Sequence, residues 1–537
     1  IYGGDVYRDR GMVLHILNGN LPFTSSFFLD HAAYYSWLPF LLTAASSAFL
    51  NLPVDISYNL VIPILSLIFV GIAYFVAAKH VFRKVPFALA IATLAMALTD
   101  FRNVRASLTG ALILFFVYFD ITVQTKKDRW KPAILAGVWL GIISLIHFSE
   151  FFVLVLLSGL YIALRWLLFE KRRLQQIPSY LKRYAPLYVV ALLIASLMIG
   201  PIFIMHQNEV KNPVFEYGEG DVENAGFGWM FKTWAKFFFN FSSLFTAIRT
   251  LLLLTGIVGI FFLRKIKRTG MNMLYFLFLP YVMTQHWRIT RPLLGRWFLP
   301  SKWAFPRFLF PLLIAIAAIF LATLAARYIK REQLIKYGII YAVTLLALTS
   351  AIHEFNDHQW TQYGQDMDPH LQSLYELGDW LRENVPDNVS ILSADESGFA
   401  ITAVSGKKVV LSRRTHVSYY VDIEQRIADA AVIMYGNDSR LRDELIEKYA
   451  IAYFYEDAML YRQPMRTLAR HASYLEQNGV NISVGSGRLD VARQDAAVYD
   501  LAFIPPQELA EAFRNMTEPV LTVGGKEPSG ILHRVKI

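Results

Sequence analysis

Long apolar runs separated by short basic turns fill the chain up to residue 352. They lie at 33–50, 57–78, 86–99, 106–123, 132–148, 150–169, 186–205, 243–263, 272–284, 305–326 and 336–352. A helix needs about 20 apolar residues to cross a hydrocarbon core of roughly 30 Å, so most runs predict spanning helices and 86–99 and 272–284 predict short ones. The turns 124–131, 170–185, 264–270 and 327–336 hold the Lys and Arg clusters, which the positive-inside bias places in the cytoplasm. That puts 99–105, 147–150, 206–240, 285–304 and everything after 352 on the other side. The alternation fails at the front. With 79–84 (KHVFRK) inside and 1–31 outside, the intervening runs cannot all be ordinary crossings. The run 33–50, broken by Trp37, Pro39, Thr43, Ser46 and Ser47, is expected to lie along the membrane or re-enter it.

The pattern changes near residue 353. LQSLYELGDWLREN, IEQRIADAAVIMY and DSRLRDELIEKYA have helical periodicity, while VSILSA, KKVVLS and IAYFYE read as strands. Strands alternating with helices predict a small α/β or α+β domain. The fold class is therefore an α-helical polytopic membrane protein of about 10–12 spans with a C-terminal soluble α/β domain. The expected division is 1–352 for the membrane domain and 353–537 for the extracytoplasmic one. Sequons at Asn240, Asn388, Asn437, Asn481 and Asn515 all fall on the predicted external side.

Composition agrees with that class: 55% hydrophobic, 15% aromatic and only 18% charged residues do not describe a soluble globular chain. Zero cysteines exclude disulfides and thiolate metal sites. The net charge of +10 is accounted for by the basic turns, and no basic stretch accompanies a nucleic-acid module, so nucleic acid is excluded as a partner. The chain begins at Ile1 without a Met or a signal-like segment, which leaves room for a further span upstream.

Candidate chemistry gathers on the external side. Residues 1–31 read as a polar loop at the membrane surface that brings Asp5, Arg8, Asp9, Arg10, His15, Asp30 and His31 together, with Gly3 and Gly4 permitting a tight backbone beside the first carboxylate. Asp100, Arg102 and Arg105 lie at a second external turn. His147 and Glu150 are three apart, so on a helix they share a face. Arg249 interrupts a span, and Arg288, Arg291, Arg296, Lys302 and Arg307 crowd another external loop. A charge in hydrocarbon costs several kcal/mol unless paired or hydrated. For any single arginine, snorkelling to the interface is the plainer explanation, and for His147 with Glu150 a buried structural pair. Asp120 and Arg165 are assigned to the plain explanation, near cytoplasmic ends where they can reach water or neighbouring Lys and Arg. Convergence of carboxylates and guanidiniums at one rim favours chemistry, because guanidiniums bind phosphate and pyrophosphate in a planar, bidentate way.

The arrangement resembles the GT-C superfamily of membrane glycosyltransferases, which includes oligosaccharyltransferases and protein mannosyltransferases, in a prokaryotic form. The features that carry the likeness are Gly4, Asp5 and then NGNLP in the first external loop, YYSWLP, the acidic turn at Asp100, LIHFSE, FPRFLFPL and a soluble C-terminal domain. The resemblance implies transfer of a sugar from a polyprenyl-phosphate donor to an external glycan, lipid or protein acceptor. A first-loop carboxylate would act as base, falling on Asp5, with Asp9 and Asp100 as the other catalytic candidates. The donor phosphate would be held by Arg102, Arg105, Arg249, Arg288, Arg291 and Arg307, with His147 and Glu150 in support. A divalent metal and a protein partner are left open. Two departures stand out. No WWDYG sequence is present, which argues against sequon-directed oligosaccharyl transfer, and the first loop lacks an Asp-Glu or Asp-x-Asp pair. The alternatives are an inactive membrane scaffold that anchors the external domain, or a lipid-linked glycan transporter, which would need polar groups through the bilayer midplane.

Overall fold

The computed structural model describes residues 4–29, 31–33, 35–98, 103–125, 130–169, 177–205, 244–285, 304–325, 369–418, 420–462, 464–488, 498–524 and 529–536, with isolated positions at 239, 241, 327, 338–339, 341–342 and 345. The chain divides into two compact units, residues 59–198 with 222–360, and residues 1–58 with 199–221 and 361–537.

The first unit is helical. Its elements follow the apolar runs closely: the span Val54–Phe82 (α3, whose first residues belong to the other unit), Val85–Leu98 (α4), Asn103–Gln124 (α5), Trp130–Ile146 (α6), Phe148–Phe169 (α7), Ile177–Ile204 (α8), Leu244–Phe262 (α9), Lys267–Gln285 (α10) and Ala304–Ala325 (α11). Four helices among the described residues, Val54–Phe82, Ala106–Gln124, Phe148–Leu167 and Pro178–Ile204, are long and apolar enough to cross a membrane. Three helix limits depart from the apolar runs. α8 and α10 start earlier, at Ile177 and Lys267, because Lys and Arg are good helix formers and the helix continues past the hydrocarbon into the basic turn. The α6–α7 junction breaks at His147, which belongs to neither helix. Small residues let the helices approach closely: a Cβ on Gly137 of α6 would strike the Leu187 carbonyl, and one on Gly256 of α9 the Leu313 carbonyl.

Inside this unit Asp120 corrects an expectation. Its side chain is fully buried instead of reaching water. It accepts hydrogen bonds from His80 Nε2 (2.7 Å), Gln124 Nε2 (2.7 Å), Thr269 Oγ1 (3.0 Å) and Asn272 Nδ2. Asn272 in turn accepts from Tyr161, which also bonds Arg165. Three helices, α3, α5 and α10, are thereby tied through one carboxylate and α7 joins them through Asn272, which is how a charge is tolerated among spans.

The second unit holds the α/β domain. One sheet has the order β2-β1-β3-β8-β7: Lys408–Val409 (β2), Ser390–Leu392 (β1) and Ile451–Asp457 (β3) run parallel, while Gly530–Val535 (β8) and Thr517–Val523 (β7) join antiparallel. A second, antiparallel sheet is formed by Met465–Leu468 (β4), Val498–Ile504 (β6) and Ser483–Arg488 (β5). The predicted helices appear as Pro369–Asn384, Ile423–Tyr435 and Ser439–Lys448. The last two carry Asp422 and Asp438 as N-caps that accept from Gln425 N and Leu441 N. The core contains Ile391, Phe399, Val409, Phe454 and, from the start of the chain, Phe27 and Phe28.

Candidate functional site

Residues 1–31 are not the open loop the pattern predicts. Gly4–Leu17 form a helix (α1), followed by a compact turn in which Ser25 N bonds His31 O and Ala33 N bonds Phe23 O. A helix whose polar residues are buried is stable only if each finds a partner, and here they do. Arg8, Asp9 and His15 are 6%, 4% and 2% exposed. Arg8 Nε and Nη2 both donate to Asp9 Oδ1, at 3.0 and 2.7 Å, and the Arg8 guanidinium lies 3.9 Å from the centre of the Tyr35 ring. Tyr58 donates its hydroxyl to Asp9 Oδ2 at 2.7 Å. Arg10 forks onto Asp55 (2.9 and 3.4 Å), donates to the Ala403 carbonyl (2.7 Å) and stacks on Tyr375.

α1 packs on the helix Asp395–Ser405, and glycine sets the spacing. A Cβ on Gly11 would stand 3.0 Å from the Thr402 carbonyl. Gly406 caps that helix with φ +72, where only glycine is unstrained, and a Cβ there would also meet the backbone of His15 at 2.7 Å. The strand edge is engaged as well, since Val409 N donates to the Phe27 carbonyl at 2.8 Å and Lys408 Nζ to the Ser25 carbonyl. Lys408 Nζ also reaches His15 Nδ1 at 3.2 Å. An ammonium has only donors, so Nδ1 accepts and the proton sits on Nε2, which bonds Thr24 Oγ1 at 2.9 Å. Burial and then the Lys408 charge lower the His15 pKa from 6.5 to about 3. Arg426 is sandwiched between Phe28 and Tyr449 and donates to His31 Nε2 at 3.2 Å.

The expected site residues are distributed as follows. Asp5 is in the second residue of α1, one turn before Asp9, and its side chain lies outside the described residues, as do those of Arg105 in α5 and Arg307 in α11. Asp100, Arg102, Arg288 and Arg291 lie outside them altogether. Arg249 is half-buried in α9. Glu150 is fully buried in the first turn of α7, where the helix dipole favours a negative charge. His147, at the break before that helix, bonds Ser149 Oγ through Nδ1 at 2.9 Å. Phe151 N bonds the His147 carbonyl at 3.4 Å, so His147 caps the helix whose first turn holds Glu150. Among the described residues no group of three or more His, Asp or Glu side chains converges to hold a metal ion. Asp9 would have to give up its guanidinium to ligate one.

Sequence reasoning missed Tyr58, Asp55 and Lys408, the groups that hold α1. A carboxylate or phenol at the entry of an apolar span, as Asp55 and Tyr58 are, was the available signal.

Fold and site together define an α-helical polytopic membrane protein whose polar N-terminal helix is built into an α/β unit. Among solved structures, the chain is similar to the apo oligosaccharyltransferase of Archaeoglobus fulgidus, at 12% identity and TM-score 0.45 over 95% of this chain and 73% of that one. It is also similar to ArnT from Cupriavidus metallidurans bound to undecaprenyl phosphate, at 11% and 0.44 over 94% of each chain. A third is the mycobacterial arabinofuranosyltransferase AftD, at 13% and 0.46 over 96% of this chain and 40% of that one. All three are GT-C glycosyltransferases. No protein-family model and no curated protein matches the chain.

Proposed function

We propose that the protein is a membrane glycosyltransferase that moves a sugar from a polyprenyl-phosphate donor to an acceptor on the extracytoplasmic side. The observation that carries this reading is the anchoring of α1. Arg8, Tyr58 and the Arg10–Asp55 fork fix a carboxylate-bearing helix beside the point where the chain enters its first long span. Rigid placement of that kind is what a reacting carboxylate requires and an unstructured surface loop lacks.

The two carboxylates of α1 then take different parts. Both oxygens of Asp9 accept from side chains that anchor α1, Oδ1 from Arg8 twice and Oδ2 from Tyr58, so it serves to hold the helix. Asp5, one turn earlier, is the base that takes the acceptor proton. For Arg102, Arg105, Arg249, Arg288, Arg291 and Arg307 we retain the role of holding the donor phosphate, on their charge and their order in the chain. Asp100 remains a second carboxylate for the same reaction. The anchoring part of Asp9 also fits an inactive scaffold that presents the α/β domain to a partner.

Donor binding separates the two. Native mass spectrometry of the full chain in nanodiscs containing undecaprenyl phosphate should show that lipid retained over phosphatidylglycerol at equal mole fraction. Equal retention of the two lipids would leave the scaffold as the better reading.

A further inference from the structure

Most exposed apolar side chains, such as Ile64 and Leu192 on the spans and Phe49 on Leu38–Leu50 (α2), stand on convex helix surfaces where any hydrocarbon serves. One recess is concave and can select. Between α3, α5, α10 and α11 of the first unit runs a narrow crevice. Its floor is Phe116, Met273 and Leu312, each 2% exposed, and its rim is Val81, Phe82 and Thr269, each half-buried, so it opens past the rim. Thr269 is the one polar residue that lines it, and that hydroxyl donates to Asp120 at 3.0 Å. An interior that offers no hydrogen bond takes hydrocarbon and not water.

The rim carries charge of one sign. Arg83 and Lys84 follow Phe82 directly, Lys267 and Arg268 directly precede Thr269, and all four are exposed. Residues 79–98 and 263–285 contain no Asp or Glu, so nothing in either stretch answers those cations. Asp120, behind the rim, is fully buried and already accepts from four side chains. Depth sets the length of chain that fits. Phe116 lies eight residues before the end of α5, about 12 Å along its axis, which is less than the roughly 15 Å of one leaflet's hydrocarbon. A basic mouth over an apolar recess of that depth matches a lipid with a phosphate head and one acyl chain. The arginines given the donor phosphate belong elsewhere: Arg105 stands in the first turn of α5, at the opposite end of that helix.

We propose that this crevice seats one acyl chain of an anionic phospholipid from the leaflet at the basic ends of the spans, with its phosphate among Arg83, Lys84, Lys267 and Arg268. The lipid fills the gap between α3 and α5 on one side and α10 and α11 on the other, and so fastens the two pairs together. The site is separate from sugar transfer and holds whatever reaction the protein performs.

The full chain is placed in nanodiscs of equimolar phosphatidylcholine and phosphatidylglycerol, and lipid retention is read by native mass spectrometry. The parent should keep one phosphatidylglycerol in preference to phosphatidylcholine. Lys267→Gln with Arg268→Gln, both on the surface and so harmless to folding, should lower that preference about 30-fold. Lys131→Gln with Lys182→Gln removes the same charge from exposed positions on α6 and α8 and should leave it unchanged. A phosphatidylglycerol with a diazirine on one acyl chain should label the peptides that hold Val81 and Met273, and Val81→Trp, which blocks the mouth, should suppress that label. No preference in the parent, or equal loss in both pairs of variants, overturns the proposal, since binding is then absent or a property of the whole basic face. So does labelling that falls elsewhere or survives Val81→Trp. Displacement of the label by an equal amount of undecaprenyl phosphate overturns it too, giving the crevice to the polyprenyl carrier.

Discussion

Acidification should loosen α1 before the rest of its unit, because His15 must stay neutral to accept from Lys408. Burial and the Lys408 charge lower its pKa from 6.5 to about 3. A base whose pKa is depressed by folding contributes stability that is complete above about 6.5 and is lost between there and about 3, since in that window the unfolded chain binds the extra proton. At pH 5 the unfolded imidazole is almost wholly protonated and the folded one is not. The loss is then 1.5 pH units at 1.36 kcal/mol each, about 2 kcal/mol, or roughly 30-fold in an opening equilibrium. Hydrogen exchange of the α1 amides in the full protein reads this directly: after correction for intrinsic rates, protection should fall about 30-fold between pH 7.5 and pH 5. His15→Gln removes the titrating group and should flatten the profile. His471 also has a lowered pKa, from burial and then Arg470, but it sits beside Asp422 and should affect the Ala472–Gln477 helix instead. Unchanged α1 protection in the parent, or the same pH dependence in His15→Gln, would refute the reasoning.

Two substitutions probe the other polar anchors. Asp120→Leu leaves His80, Gln124, Thr269 and Asn272 facing a side chain that accepts nothing. At about 0.6 kcal/mol for each of the three interhelical bonds, from His80, Thr269 and Asn272, the loss should be roughly 2 kcal/mol, and Asp120→Asn, which keeps the shape, should lose less; parent-like thermal unfolding of the leucine variant in detergent would exclude this. Arg10→Leu breaks the bond to the Ala403 carbonyl, at about 1.5–3 kcal/mol, and a half-exposed pair with Asp55 worth little. Arg10→Lys has one ammonium where the guanidinium reaches the Ala403 carbonyl through Nη1 and Asp55 through Nε and Nη2 together, so it should recover only part of the loss, and full recovery in urea unfolding of the intact chain would count against the geometry.

Most of the helical architecture was legible because lipid burial is written directly into composition. Runs such as 106–123 and 305–326 became helices within a few residues of their ends. The α/β domain was legible for the same reason in a different period: IEQRIADAAVIMY is a helix from its first residue to its last. The first segment was read as a loop because its buried face consists of Arg8, Asp9 and His15, which no hydrophobic pattern marks as core. Their partners lie far along the chain, Tyr58 for Asp9 and Lys408 for His15, and local sequence says nothing about such pairings. The aromatic pair Phe27–Phe28 in an otherwise polar stretch was the one local sign that the segment packs into something. Asp120 was misjudged in a related way. Its position near a helix end predicted water, while the polar residue four positions later, Gln124, was the sign of a buried network.

The central claim is that α1 presents Asp5 as the base of a sugar transfer, and Asp5→Asn tests it most directly. The purified parent and variant, reconstituted with undecaprenyl-phosphate hexose and pentose donors and a membrane lipid and glycan extract as acceptor, are compared by release of undecaprenyl phosphate. Donor retention is followed alongside by native mass spectrometry. Loss of a general base predicts a fall in turnover of about 10²- to 10⁴-fold with donor binding and α1 protection unchanged. Turnover within a few-fold of the parent would contradict the assignment.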